Sequence, residues 1–148
     1  MKEVAIKAKD ASIKLSAISG EMKNKALENI AKKLEERKSE IIKANKEDLD
    51  RSEKENLAQP LLKRLKFDER KIADVIDGIK SLISLPDPVG KTIFSTELDD
   101  GLELYRVTCP IGVIGIIFES RPDALVQIST LCLKSGNSVL LKGGSEAR

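Results

Sequence analysis

The apolar residues change their spacing at Pro86-Asp87-Pro88. Before this point they recur at helical steps. Met22, Ala26, Leu27, Ile30 and Leu34 fall on one face of a predicted helix, with Lys and Glu filling the other positions. A second face runs through Ile72, Val75, Ile76, Ile79, Leu82 and Ile83. Between the two, Gln59-Pro60 interrupts the chain, and Leu61, Leu62 and Leu65 predict a short helix.

After Pro88 the period shortens to that of strands. Thr92, Ile93, Phe94 and Thr96 favour a strand, and Asp99-Asp100-Gly101 signals a turn. Leu102, Leu104 and Arg106 then alternate with Glu103, Tyr105 and Val107, which completes a predicted β-hairpin. The run from Gly112 to Phe118, GVIGIIF, is expected to be a parallel strand covered on both faces, because it contains no polar side chain. Asp123 is the predicted N-cap of a helix running to about Ser135, and Gly136-Asn137 ends it. Ser138 to Lys142, SVLLK, is a further buried strand that opens into Gly143-Gly144-Ser145-Glu146. Strand, helix and strand make one βαβ unit, whose crossover is expected to be right-handed.

The fold class is therefore α/β. Amphipathic helices occupy 1–88. A β-hairpin and a first βαβ unit occupy 89–148, the start of an incomplete doubly wound, Rossmann-like parallel sheet. The 148 residues suffice for one compact domain.

Composition narrows the chemistry. Charged residues reach 34%, but the net charge is only +2, so no clustered positive charge marks a nucleic-acid partner. Aromatic residues are 3%, too few for a base-stacking platform. No histidine is present, which excludes a histidine base and a Ser-His-Asp triad within these residues. Cys109 and Cys132 lack metal-ligand spacing, so no metal site is expected. Both are read as small buried side chains, reduced as in a cytoplasmic protein. The sequence shows neither a secretory signal nor an apolar run long enough to span a membrane.

Two turns carry candidate chemistry. Lys142-Gly143-Gly144-Ser145 follows the carboxyl end of a predicted strand, where open α/β sheets bind ligands. The glycines admit a phosphate or ribose close to the backbone, and the following amides suit an anion. On spacing alone, an ordinary strand-to-helix turn with a solvated lysine is slightly favoured. Glu119-Ser120-Arg121-Pro122 lies at the same sheet edge. Arg121 can clamp a carboxylate or phosphate in a bidentate fork. The plainer alternative is a surface arginine paired with Glu119 or Asp123. Gly112-Val113-Ile114-Gly115 is not a dinucleotide fingerprint, because its glycines lie in the strand and not in the turn after it.

CPIGVIGIIFESRPD, then LCLKSGNSVLLKGGSEA, preceded by Ala44-Asn45-Lys46-Glu47-Asp48-Leu49 in a helical lead-in, closely resemble gamma-glutamyl phosphate reductases of the aldehyde dehydrogenase superfamily. The resemblance covers essentially the whole chain. Where the broader superfamily has a Pro-Trp-Asn loop, this sequence has Glu-Ser-Arg-Pro-Asp, like the acyl-phosphate reductase branch. The resemblance implies an aldehyde dehydrogenase type of sheet. It also implies NADPH-dependent reduction of L-glutamate 5-phosphate to L-glutamate 5-semialdehyde and phosphate, in proline biosynthesis. In that reaction a cysteine thiolate attacks the acyl phosphate, phosphate leaves, and the thioester is reduced by hydride.

Carried over by resemblance, Lys142 meets the adenosine ribose of NADPH/NADP, and Gly143, Gly144 and Ser145 lie near the 2′-phosphate. Arg121 stands about where the superfamily has its oxyanion-hole asparagine, and handles the substrate phosphate or carboxylate. Neither Cys109 nor Cys132 matches the family's nucleophile. The chain is thus expected to be an N-terminal fragment, inactive alone, of a cytoplasmic enzyme that forms homo-oligomers and associates with glutamate 5-kinase. No nucleic-acid or membrane partner is implied. A non-catalytic nucleotide-binding module and a helical interaction protein are the competing readings.

Overall fold

The computed structural model describes residues 2–147. Five helices come first: α1 (Lys2–Ser16), α2 (Gly20–Glu36), α3 (Lys38–Lys54), α4 (Gln59–Leu65) and α5 (Glu69–Ser84). A hairpin of β1 (Thr92–Asp99) and β2 (Leu102–Val107) follows, and then β3 (Val113–Ile117), α6 (Pro122–Lys134) and β4 (Ser138–Lys142). The helices, the hairpin and the βαβ unit all form where the sequence pattern predicts them, and the buried face of α5 is the predicted one.

The core lies between α2 and α5. Leu27 and Ala31 of α2 pack with Ile72, Val75, Ile76 and Ile79 of α5, and Phe67 closes the end. Burying a side chain such as Leu27 or Ile72 completely stabilises the fold by about 1.5–3 kcal/mol. The amino ends of α2 and α5 are capped by side chains. Ser19 accepts from the Met22 amide at 3.3 Å, and Asp68 accepts from the Lys71 amide at 3.1 Å.

The α2 face is rotated by one residue from its predicted position. Met22 is exposed, and Lys23 takes its place with 2% exposure. The row Lys23, Leu27, Ala31 is the one turned toward α5. A lysine fits this row because its stem is apolar and its ammonium meets Asp87 at 2.7 Å. Burial alone raises the Asp87 pKa. The Lys23 hydrogen bond, the Val89 amide and the charges of Lys23 and Lys134 outweigh it, so the carboxyl sits below its ordinary value. Lys134 of α6 is also buried, and donates to Asn24 Oδ1 at 2.7 Å and to the Leu85 carbonyl at 2.8 Å. These bonds tie the Pro86-Asp87-Pro88 segment and α6 to the end of the helical layer.

Asn45 of α3 is buried and makes two bonds to the residues that end α4. Its amide donates to the Leu65 carbonyl at 2.8 Å, and its Oδ1 accepts from the Phe67 amide at 2.6 Å. The large majority of buried polar groups in folded proteins are paired in this way.

Strands β3 and β4 pair in parallel, from Val113↔Ser138 to Ile117↔Lys142. α6 packs on α2, α5 and β4, and α1 packs on both strands. The expectation of full burial fails here. Ile114 and Ile116 are half-buried, while Ile117 is 86% exposed. Among the described residues this sheet has only two strands, so its outer edges have no neighbour. The hairpin departs further from expectation. Every residue of β2 is exposed, as are all of β1 except Thr96, so the alternation of Leu102 and Leu104 with Glu103 and Tyr105 has no covered face. Arg106 instead lies over the Phe94 ring at 5.6 Å. No helix among the described residues is long and apolar enough to cross a membrane.

Candidate functional site

Parallel pairing places the carboxyl ends of β3 and β4 side by side. The Phe118 amide donates to the Lys142 carbonyl at 3.0 Å and extends the pairing one step beyond the strands. The two turns singled out in the sequence therefore leave the sheet together. Arg121, Gly143 and Gly144 line one cleft of about 260 Å³ with Phe118, Ser120 and Glu146. Lys142 and Ser145 are exposed beside this cleft and do not line it. Two larger clefts, of about 590 Å³ and about 460 Å³, lie between α2 and α3 and between α5 and α6. Their linings are mainly apolar and include neither turn.

Arg121 takes the N-cap position of α6, with Pro122 at the first helical residue. Asp123, expected to be the cap, lies inside the first turn. Pro122 explains the shift, since proline lacks an N–H and has its φ preset for a helix start. Asp123 accepts from Arg121 Nη2 at 3.3 Å through one oxygen, and its other oxygen is buried without a hydrogen-bond partner among the described residues. The Arg121 side chain is 54% exposed, so the rest of its fork faces solvent at the cleft. The Asp123 pairing is the one named in the plainer sequence reading. It also orients the guanidinium.

The opposite turn is built on glycine and a carboxylate. Lys142 Nζ donates to the Gly143 carbonyl at 2.5 Å. A Cβ at Gly143 would touch the Phe118 ring at 3.7 Å, and one at Gly144 would collide with the Glu146 carboxylate. That carboxylate accepts from both the amide and the hydroxyl of Ser120, the hydroxyl at 3.1 Å. Burial pushes the Glu146 pKa up. The bonds from its own amide and from Ser120, with the nearby Lys142 charge, prevail and hold it below the ordinary carboxylate value.

The donor set fits an anionic nucleotide. Lys142 offers an exposed ammonium, Gly143 and Gly144 add no side chains of their own, and the Glu146 carboxylate packed against Gly144 is met by Ser120 and the Lys142 charge. Ser120 and Glu146 were not singled out in the sequence. The positive φ of Ser120, 48°, has no local sequence signal, and a bond spanning 26 residues leaves no trace in periodicity.

The cysteines separate. Cys132 is buried, and burial pushes its thiol pKa up. Cys109 is exposed, contrary to expectation, because it lies in the open stretch between β2 and β3. It precedes the amino end of β3, whereas the cleft lies beyond the carboxyl end.

No family model matches the chain. It is 79% identical over 146 residues to the gamma-glutamyl phosphate reductase of Acetivibrio thermocellus, covering 99% of this chain and 34% of that protein. It is 72% identical over 148 residues to that of Pelotomaculum thermopropionicum, again covering 34% of the relative. The chain thus spans about a third of the length of the curated relatives it matches. The crystal structure of gamma-glutamyl phosphate reductase from Thermotoga maritima superimposes with a TM-score of 0.93 at 43% identity, over 98% of this chain and 35% of that one. A probable aldehyde dehydrogenase from Listeria monocytogenes shares the fold, with a TM-score of 0.68 at 17% identity.

Proposed function

We propose that this chain, which belongs to the gamma-glutamyl phosphate reductase family and corresponds to its N-terminal part, supplies a substrate turn and a cofactor turn for the NADPH-dependent reduction of L-glutamate 5-phosphate to L-glutamate 5-semialdehyde and phosphate. The observation that carries this reading is the single cleft shared by Arg121 and by Gly143-Gly144 at the carboxyl ends of two parallel strands. Ligands of open α/β sheets bind at that edge.

NADPH supplies the hydride when bound. Lys142 and Ser145 would hold its ribose and 2′-phosphate, and Gly143 and Gly144 add no side chains of their own to the turn. The Arg121 fork, oriented by Asp123, would hold the substrate's phosphate or carboxylate and keep the acyl carbon in place. Cys132 is buried with a raised pKa, and Cys109 precedes the far end of β3, so neither is proposed as the nucleophile. In the same reading, residues 1–88 are a helical region and 89–148 begin the nucleotide-binding domain. The whole enzyme acts in proline biosynthesis in the cytoplasm as a homo-oligomer, and associates with glutamate 5-kinase.

Amide hydrogen exchange on a chain extended to the length of its relatives tests the placement. NADPH is expected to protect the 142–146 segment, and glutamate 5-phosphate the 118–122 segment. Protection confined to the α2–α3 groove would remove both turns from the site.

A further inference from the structure

We propose that Glu146 is a positioning residue, which fixes the Arg121 turn to the glycine turn so that substrate and cofactor are held in one register. The proposal rests on the reading of the cleft given above. Ser120 is 3% exposed and adopts a φ of 48°, a left-handed conformation that serine disfavours. A residue stays in such a conformation only where its surroundings hold it. Here the restraint is a single atom: Glu146 Oε1 accepts from both the amide and the hydroxyl of Ser120. The direction in which Ser120 sends the chain sets where Arg121 enters the cleft.

Glu146 is itself held from the helical layer. Its carbonyl accepts from Arg51 Nη2 at 3.1 Å, and the same guanidinium pairs with Asp48 on α3. Backbone and side chain of Glu146 are thus fixed by groups 95 and 26 residues away. Gly144 completes the device, because a Cβ there would occupy the position of the carboxylate. The Glu146 carboxylate faces Ser120 and Lys142, while Arg121 pairs with Asp123, so Glu146 acts on Arg121 through Ser120.

The test uses the extended, full-length chain. Glu146→Ala is expected to raise the KM for glutamate 5-phosphate by about tenfold, the lower end for a lost charge-assisted bond, and to leave the KM for NADPH within about twofold. Glu146→Gln keeps an oxygen that can accept from Ser120, and should recover most of the loss. Glu146→Asp keeps the charge but falls short of Ser120 by one methylene, and should behave like the alanine variant. Exchange of the Ser120 amide should accelerate in the alanine and aspartate variants and stay slow in the glutamine one. A merely structural role would lower the amount of active enzyme without changing this KM. An unchanged substrate KM in active Glu146→Ala and Glu146→Asp would overturn the proposal, as would unchanged Ser120 exchange. If the alanine variant does not fold, the aspartate and glutamine variants decide alone. If the unaltered extended chain does not use glutamate 5-phosphate, the reaction assigned above is wrong, and Ser120 exchange still decides whether Glu146 holds the turn.

Discussion

Arg121→Ala, made in the extended chain, is expected to lower kcat/KM for glutamate 5-phosphate by about ten- to a hundredfold, the value of one lost charge-assisted fork. The guanidinium is more than half exposed, and Asp123 takes only one of its N–H groups at 3.3 Å. The remaining donors form a planar pair suited to two oxygens of a phosphate or carboxylate. Arg121→Lys keeps the charge and loses the fork, so it should recover only part of the loss. NADPH affinity should be unchanged in both variants, because the cofactor contacts are assigned to Lys142 and Ser145, although Arg121 lines the same cleft as Gly143 and Gly144. Steady-state kinetics with the substrate and the cofactor varied in turn would measure this. A normal kcat/KM in Arg121→Ala would leave Arg121 as a surface residue paired with Asp123.

Lys142→Ala should weaken NADPH binding more than NADH binding. The 2′-phosphate of NADPH carries nearly two negative charges, and NADH has only a hydroxyl there. A charge-assisted contact contributes ~1.5–3 kcal/mol, or about ten- to a hundredfold in affinity. Lys142 Nζ engages the Gly143 carbonyl through one proton, and its exposed position leaves the others available to a phosphate. Added salt should reproduce part of the effect, since exposed charges are screened. Titration of both cofactors into wild type and variant would measure the difference. Equal losses would assign Lys142 to the shared ribose, and no loss would exclude it from the site.

Much of the architecture was legible because it depends on local pattern. Ile72, Val75, Ile76 and Ile79 show their helical face through spacing alone, and all four are buried. SVLLK forms a strand over the predicted residues. The misreadings arise where partners distant in sequence decide. Lys23 replaces Met22 on the buried face because Asp87, 64 residues away, neutralises it. GVIGIIF reads as fully covered, yet its burial depends on neighbouring strands, and among the described residues its sheet has two. The two turns could be named from residue type, but their meeting in one cleft required parallel register. The Ser120–Glu146 bond was invisible, because neither a positive φ nor a long-range hydrogen bond alters hydrophobic periodicity.

The central claim is that these turns serve an acyl-phosphate reduction. Its most direct test is an assay of the extended chain with NADPH and glutamate 5-phosphate, following cofactor oxidation and free phosphate together. The account predicts oxidation that requires the acyl phosphate, with one phosphate released for each NADPH oxidised, and no such activity from residues 1–148 alone. A folded extended chain that binds NADPH but releases no phosphate would contradict it in favour of a non-catalytic nucleotide-binding module. One that binds no nucleotide would contradict it in favour of a helical interaction protein.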